Sequence, residues 1–371
     1  MNVTLHLTEN CNMACQYCYV CKGGVSMSRE VAQAALRLAA QGSDRAGVAF
    51  FGGEPLLCKE CIRDVMEEAE RLHREEGCSF HFKMTTNGTL LDDEFLEYAT
   101  KKNIFIALSH DGVKLAHDKN RVDTLGQGTF ETVEAVAQKL LAQQPYTPAM
   151  MTISPNVVEH YAEGVEHLYA LGFRYIICSI NYAGEWTEKT LDELRRQYQK
   201  LAKWYYALTL QEKKFYFSPF EVKISSHIHR SSYKKERCEL GIRQVSVAPD
   251  GKIYPCVQFV GDEAYCIGDV FSGIDETRRQ ALYLLNEEEP ESCRECAVKN
   301  RCNHHCGCLN KQVTGSLNEV APSLCAHERI VLPIADRLAE ALYKKRSALF
   351  IQKQYNDLFP VLSLLEDRLK K

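Results

Sequence analysis

Three cysteines stand close together near the start of the chain, in the run Cys-Asn-Met-Ala-Cys-Gln-Tyr-Cys that covers residues 11–18. This CxxxCxxC spacing puts three thiolates on one short loop, directly after a strand-like segment at residues 2–7. Three thiolates can hold three irons of a 4Fe–4S cube and leave the fourth iron without a protein ligand. Such an iron can bind a sulfonium compound and cleave it reductively. The segment therefore indicates one-electron chemistry at an iron–sulfur cluster.

The motif, its place after the first strand and Tyr17 between its last two cysteines resemble the radical S-adenosylmethionine (radical SAM) enzymes. The resemblance implies that Cys11, Cys15 and Cys18 ligate the catalytic cluster and that SAM is the cofactor. A structural zinc site with Cys21 as the fourth thiolate is the alternative. It is disfavoured because such sites usually join two separated CxxC pairs.

Further segments that follow strand-like runs resemble the SAM-binding segments of these enzymes. The implied SAM-binding residues are Tyr17, Gly52, Gly53, Glu54, Thr86, Asn87, Ser109, Asp111 and Arg121. By the resemblance, Glu54 neutralises the amino group of SAM and Arg121 pairs with its carboxylate, a contact that suits a planar guanidinium. Ser109 would contact the methionine moiety or the ribose, and Tyr17 would pack beside the adenine.

A second set of cysteines reproduces the seven-cysteine pattern of the SPASM domain, which extends many radical SAM peptide-modifying enzymes and carries two auxiliary 4Fe–4S clusters. The seven are Cys238, Cys256, Cys293, Cys296, Cys302, Cys306 and Cys325. The resemblance assigns Cys238, Cys256 and Cys306 to the first auxiliary cluster and the other four to the second. With the catalytic cluster, this implies three 4Fe–4S clusters. A paired zinc ribbon is the alternative.

Two groups of cysteines stay without a settled role. The first auxiliary cluster lacks one thiolate, and either Cys266 or Cys308 could supply it. Alternatively its fourth iron is open to a substrate thiolate, which is the preferred expectation.

Cys58 and Cys61 form a CxxC at a helix start, where a thiol pKa can be lowered for redox work. The preferred interpretation of this pair is structural, because a lone CxxC needs a matching fold context.

The elements that must position these residues follow from the pattern of apolar segments. Residues 1 to about 215 contain six strand-like runs that alternate with helix-like segments. The strand-like runs cover residues 3–7, 48–51, 80–84, 104–108, 150–153 and 173–177. This alternation predicts an α/β fold with a parallel sheet and outer helices. A partial (β/α)6 radical SAM barrel fits, with its chemistry at the C-terminal ends of the strands.

The chain divides into three expected parts. Residues 1–215 would form the radical SAM partial barrel, residues 216–328 the cysteine-rich SPASM domain, and residues 329–371 a C-terminal helical extension. Ser28 is a predicted N-cap. Pro249-Asp250-Gly251 predicts a hairpin turn in the second part.

Composition limits the class of protein. The 371 residues carry 45 basic and 49 acidic side chains, a net charge of −4 that argues against a general nucleic-acid surface. No run of 18 apolar residues and no signal peptide is found, so we expect no membrane span and a cytoplasmic protein. Seventeen cysteines in a reducing compartment indicate metal sites rather than disulfides, and suggest an anaerobic host.

These features predict a radical SAM peptide maturase that forms a thioether between a cysteine sulfur and a carbon of a ribosomal peptide. An anaerobic sulfatase-maturating enzyme, which makes formylglycine from Cys or Ser, is the first alternative. Those enzymes carry an aspartate directly after the cysteine that matches Cys256, where it is thought to act as base, and this chain has Val257. A non-catalytic multi-cluster electron carrier is the second alternative, but it leaves the GGEP segment and Arg121 unexplained.

The resemblance also implies partners. A peptide substrate is expected, with ferredoxin or flavodoxin as the reductant. The first strand begins at residue 2 or 3, which leaves no room for a leader-binding module before it. A separate leader-peptide-binding protein is therefore one expectation. Neither a nucleic acid nor a membrane is expected as a partner.

Overall fold

The computed structural model describes residues 1–20, 22–41, 44–229 and 238–369. Cys21, the fourth thiolate of the alternative zinc site, lies outside these ranges. Within them, the chain forms one eleven-stranded sheet covered by helices. The predicted α/β class is confirmed, with an open barrel followed by a C-terminal region.

Six parallel strands form the barrel, and each pairs with the next one along the chain. They are β1 (Asn2–His6), β2 (Arg45–Phe51), β3 (Ser79–Thr86), β4 (Ile104–Ser109), β5 (Pro148–Ile153) and β6 (Tyr175–Ile180). A two-residue strand, β7 (Tyr216–Phe217), continues the sheet beside β6. The sixth strand starts two residues later than expected. The reason is that the Phe173 amide donates to the Leu168 carbonyl at 3.1 Å and still belongs to the end of the preceding helix.

Seven helices connect these strands: α1 (Arg29–Ala40), α2 (Lys59–Glu76), α3 (Asp93–Lys101), α4 (Lys114–Asn120), α5 (Phe130–Gln143), α6 (Tyr161–Leu171) and α7 (Glu188–Leu210). Their starts follow local chemistry. The Ser28 hydroxyl accepts from the Val31 amide at 3.3 Å, which confirms the predicted N-cap. The Asp92 carboxylate does the same for the Phe95 amide at 2.8 Å. Side-chain oxygens thus satisfy amides that the first helical turn leaves unbonded.

The cysteine-rich region extends the barrel sheet on its other edge. Its strands are β8 (Gln244–Val247), β9 (Lys252–Tyr254), β10 (Gly268–Asp269) and β11 (Gly273–Ile274). Strand β8 pairs in parallel with β1 and antiparallel with β9. The turn between β8 and β9 is the predicted one, and its Gly251 has φ +94°. The region is therefore hydrogen-bonded to the first barrel strand, beside the loop that carries the first three cysteines.

Six helices complete the described chain: α8 (Ser218–Ile228), α9 (Glu276–Glu287), α10 (Gly307–Thr314), α11 (Pro322–Lys344), α12 (Ala348–Tyr355) and α13 (Phe359–Leu369). The expected limit between residues 328 and 329 falls inside α11, which begins with proline at its first position, where the missing N–H costs nothing. Helix α11 packs against α7 and α8. We therefore propose that the helical part starts at Pro322, and we keep residue 216 as the proposed start of the cysteine-rich part.

No helix that the structure describes combines the length and the apolar character that crossing a bilayer requires.

Candidate active site

The loop with Cys11, Cys15 and Cys18 follows β1 and is fixed by backbone hydrogen bonds. The Ala14 amide donates to the Val122 carbonyl at 2.8 Å, and the Gln16 amide donates to the Asn120 carbonyl at 3.0 Å. Cys11 and Cys15 are half-buried, and Cys18 is exposed. The three thiols therefore sit on one fixed loop.

These cysteines line a cavity of about 560 Å³ at the C-terminal ends of the barrel strands. Eight of the nine residues expected to bind SAM line the same cavity: Tyr17, Gly52, Gly53, Glu54, Thr86, Asn87, Ser109 and Arg121. Residues from the cysteine-rich region and from α8 and α11 form its opposite wall. The fold thus gathers the predicted cofactor residues at one place.

Gly52 and Gly53 bring the loop after β2 against the cysteine loop. The Gly53 amide donates to the Thr8 carbonyl at 2.8 Å, and the Glu54 amide donates to the Asn10 carbonyl at 2.9 Å. A Cβ on Gly53 would lie 2.0 Å from the Asn10 backbone oxygen. Gly52 has φ +128°, and a Cβ there would lie 2.5 Å from the Thr8 oxygen. Both glycines are required because backbone approaches backbone.

We expect Gly53→Ala to lower the free energy of unfolding by about 1–3 kcal/mol, because backbone atoms must move apart. The displaced cysteine loop should also slow SAM cleavage by up to about a hundredfold. Urea unfolding and release of 5′-deoxyadenosine measure the two effects. Gly24→Ala is the matched control, since a Cβ there meets no atom within 4 Å. Equal behaviour of the two variants would contradict this interpretation.

Glu54 holds two loops together from a buried position. Its carboxylate accepts from the Leu56 amide at 3.0 Å, the Thr86 hydroxyl at 2.7 Å and the Asn87 amide at 2.9 Å. Burial raises the pKa of Glu54, and the three donors oppose that rise. A carboxylate offers about four acceptor sites. One site therefore stays available for an ammonium group, in addition to the structural role that the sequence did not indicate.

Asn87 connects the third strand to the cysteine loop. Its Nδ2 donates to Asn12 Oδ1 at 3.0 Å and lies 4.0 Å from Cys11 Sγ. The side-chain amide of Asn12 in turn donates through Nδ2 to the Thr89 hydroxyl at 2.7 Å. Asn12 and Thr89 were not among the predicted site residues, because Asn12 occupies an unspecified position of the CxxxCxxC motif and Thr89 belongs to no motif. The contacts make Asn87 a residue that positions the loop of Cys11.

Asp111 is the one predicted SAM-binding residue outside the cavity lining. Its side chain is 1% exposed, and its Oδ2 lies 3.0 Å from Arg121 Nε. Tyr17 donates its hydroxyl hydrogen to the same oxygen, and the Thr152 amide donates to Oδ1 at 2.9 Å. The guanidinium carbon of Arg121 lies 5.4 Å from the centre of the Tyr17 ring. Asp111 therefore neutralises and orients two residues of the cavity wall from behind.

The seven later cysteines gather in two places. Cys238, Cys256 and Cys306 share an apolar cluster with Leu240 and Phe259. The second group contains Cys293, Cys296, Cys302 and Cys325, of which Cys293 and Cys302 are buried. The two groups coincide with the two sets that the sequence resemblance implies. Clustered thiolates are the donors that iron–sulfur clusters prefer.

Cys58 and Cys61 lie outside both groups and outside the cavity lining. Burial raises the pKa of the Cys61 thiol to about 12. Cys58 Sγ lies 3.8 Å from the Leu7 carbonyl oxygen. A redox CxxC requires a lowered thiol pKa, so this environment favours the structural interpretation of the pair.

One polar group on the cavity wall has no signature in the sequence. Tyr182 and Tyr198 form hydrogen bonds to His327 Nδ1 at 2.8 Å and Nε2 at 2.7 Å. Burial lowers the pKa of His327 to about 3, so the ring is neutral. Beside it, Lys223 and Glu328 form a buried ion pair at 2.7 Å. These contacts attach α11 to the barrel across the cavity.

His110, Glu134 and His167 form a cluster with the composition of a metal site, away from the cavity. The Gly112 amide donates to His110 Nδ1 at 3.1 Å, so the neutral ring carries its proton on Nε2. That proton faces Glu134 at 3.1 Å, as does His167 Nε2. The carboxylate thus accepts from two histidines, and this arrangement leaves His110 no lone pair for a metal.

Comparison with known proteins agrees with this geometry. The radical SAM superfamily profile matches residues 5–168. A cysteine-type anaerobic sulfatase-maturating enzyme of Clostridium perfringens is 21% identical over 81% of this chain and 86% of its own. A serine-type anaerobic sulfatase-maturating enzyme of Klebsiella aerogenes is 25% identical over 45% of this chain and 43% of its own.

Two solved structures show the same fold. The enzyme anSMEcpe, with bound AdoMet and Cp18Cys peptide, has a TM-score of 0.76 at 20% identity, over 91% of this chain and 98% of its own. Streptococcus suis SuiB, bound to the precursor peptide SuiA, has a TM-score of 0.62 at 16% identity, over 87% and 75%. The barrel and the C-terminal region are therefore arranged as in these two proteins.

Proposed function

Since the chain carries a radical SAM domain and is homologous to anaerobic sulfatase-maturating enzymes, we propose that it oxidises a peptide and joins a cysteine sulfur to a carbon. The product would be a thioether cross-link. The reaction removes two hydrogens from the peptide: one leaves the carbon as an atom, and the other leaves the thiol as a proton. The remaining electron needs an acceptor, and an auxiliary cluster held by the later cysteines would supply one.

The residues of the cavity fit the cofactors of this domain. SAM at a reduced 4Fe–4S cluster supplies the radical that takes a hydrogen atom from an unactivated carbon. Cys11, Cys15 and Cys18 would hold that cluster, since all three line the cavity. Arg121 offers a guanidinium for a carboxylate. Gly53 lets the loop after β2 pack directly against the cysteine loop, since a Cβ there would lie 2.0 Å from the Asn10 backbone oxygen.

One observation carries the oxidative part of the proposal: a single cavity reaches from the first cysteine loop to the cysteine-rich region. Gln258 and Asn303 line it. Gln258 follows Cys256 by two residues, and Asn303 directly follows Cys302. A peptide bound there would lie between the proposed SAM site and both groups of later cysteines. Electrons released by the peptide therefore have nearby acceptors.

The acid–base groups of the cavity wall support one of two candidate peptide oxidations. Glu54 is the one carboxylate among the described residues that line it, and three donors already engage that carboxylate. Val257 stands in the place of the aspartate of sulfatase maturases, and next to it the wall presents the Gln258 side-chain amide, which does not accept a proton near neutral pH. This favours the thioether.

Formylglycine formation is the second candidate. The likeness to the Clostridium perfringens enzyme over 81% of this chain supports it. Both candidates take peptide substrates, in keeping with the peptides bound to anSMEcpe and SuiB. For either one, we propose ferredoxin or flavodoxin as the reductant and a separate protein for any leader peptide.

Anaerobic co-expression with a small cysteine-containing precursor peptide, ideally one encoded beside this enzyme, tests the proposal. We expect the intact peptide mass to fall by about two units per modified cysteine, with those cysteines no longer open to alkylation. Co-expression with the Cys15→Ala enzyme is the control. A loss of about eighteen units from a sulfatase-motif cysteine peptide, without the smaller loss, would instead establish formylglycine chemistry.

A further inference from the structure

A fourth thiol lies among the cysteines assigned to the first auxiliary cluster. The Sγ atoms of Cys306 and Cys308 are 3.5 Å apart. The thiol of Cys308 also forms a hydrogen bond with the thiol of Cys256. Cys308 is buried in the same apolar cluster that contains Cys238, Cys256 and Cys306. Its sulfur is therefore directed toward the other thiols.

The local backbone explains how Cys308 reaches this position. Cys306 is the N-cap residue of α10, and Cys308 is the second residue of that helix. Gly307 stands between them, where a Cβ would lie 2.0 Å from the Asn286 side-chain oxygen. The side-chain amide of Asn310 donates through Nδ2 to the backbone carbonyls of His304 at 2.8 Å and Leu317 at 3.1 Å. These contacts fix the start of α10. The thiols of Cys306 and Cys308 then lie in the apolar cluster that contains Cys238 and Cys256.

Cys266, the other candidate, is oriented differently. Its thiol donates to the Gly268 carbonyl at 3.3 Å, at the start of β10. It packs against the same apolar cluster but, among the described residues, no hydrogen bond joins its sulfur to another thiol. The Cys266 thiol is thus hydrogen-bonded to a carbonyl of the adjacent strand rather than to the other thiols. Cys266 therefore fits the role of a small packing residue.

We propose that Cys308 supplies the fourth thiolate of the first auxiliary cluster. This inference rests on the proposed auxiliary clusters. It replaces the expectation of an open iron that followed from the sequence alone. With four protein thiolates, the cluster transfers electrons but offers no iron to a substrate thiolate without losing a ligand. The substrate sulfur then stays in the cavity and is oxidised there.

Two single variants, Cys308→Ala and Cys266→Ala, test the inference in the full-length enzyme reconstituted anaerobically. Wild type should bind about twelve irons for three cubes. We expect Cys308→Ala to lose between about one and four irons and to change the electron paramagnetic resonance spectrum of one reduced cluster. Cys266→Ala should keep wild-type iron and spectra. If Cys308→Ala misfolds, Cys308→Ser provides a second test. Its oxygen can still bind iron, and this change of ligand should shift the same spectrum.

The outcomes separate this inference from the proposed function. If Cys308→Ala and Cys308→Ser keep the iron content and the spectra of wild type, Cys308 is not a ligand and the inference fails. If Cys266→Ala alone changes the spectrum, the fourth ligand is Cys266. A wild-type enzyme with only about four irons, or with zinc in place of the other eight, would overturn the auxiliary clusters themselves.

Discussion

Replacing Cys15 by alanine is expected to abolish SAM cleavage while the barrel stays folded. Cys15 is half-buried in the cavity wall, and its loop is held by backbone hydrogen bonds that the substitution leaves in place. The two thiolates that remain can ligate only two of the three irons that the motif is proposed to bind. Production of 5′-deoxyadenosine with dithionite as the reductant should fall by at least about a thousandfold.

The control for this variant is Cys58→Ala. Cys58 is also a half-buried free thiol, but it lies outside the cavity lining. Cys58→Ala should retain SAM cleavage within about threefold of wild type, since its thiol lies outside the cavity that the proposed cofactor residues line. Cleavage by the Cys15→Ala enzyme at a comparable rate would refute the assignment of the catalytic cluster. Loss in both variants would point to general thiol damage.

Replacing Asp111 by asparagine is expected to produce the largest loss of stability. The carboxylate accepts from Tyr17 and Thr152 and pairs with Arg121, which is itself buried. Removing one partner of a buried ion pair leaves an uncompensated charge and costs about 3–5 kcal/mol. Urea unfolding should show this decrease, and calorimetry should show weaker SAM binding because Arg121 and Tyr17 lose their orientation.

Two further variants make this result specific. Glu131→Gln removes an exposed carboxylate that pairs with Lys114 at 2.9 Å, and it should leave the unfolding curve nearly unchanged. The double variant Asp111→Asn, Arg121→Gln should be more stable than Asp111→Asn alone, because it also removes the unpaired charge. A double variant that shows the plain sum of two losses would mean that the two residues are not coupled.

Several features could be predicted from the sequence because local spacing encodes them. CxxxCxxC places three thiols on one loop whatever lies around it, and Gly52 and Gly53, expected at the SAM site, line the same cavity as these thiols. Alternating apolar segments predicted six parallel strands, and all six form, although their ends differ from the predicted ones by up to three residues. The resemblance to the SPASM domain assigned seven cysteines to two sets, and the structure holds these cysteines in two groups of the same composition.

Other features depended on segments that are distant in the sequence. Asp111 belongs to a segment that resembles the SAM-binding segments of radical SAM enzymes. In the structure, its carboxylate lies behind the cavity wall and contacts Arg121 and the Thr152 backbone amide. His327 meets Tyr182 across 145 sequence positions. Neither contact has a sequence period, because packing between elements, rather than the repeat within one element, sets side-chain direction.

The sequence by itself indicated the chemistry: three thiols at a spacing that we propose serves an iron–sulfur cluster, and alternating segments that form the barrel beside them. The tertiary structure decided which groups face the cavity. Pairing of β8 with β1 set the cysteine-rich region beside the first cysteine loop, and the start of α10 turned Cys308 toward Cys256 and Cys306. Spacing fixes the neighbours within a loop, whereas only the packed backbone path determines which distant side chains meet.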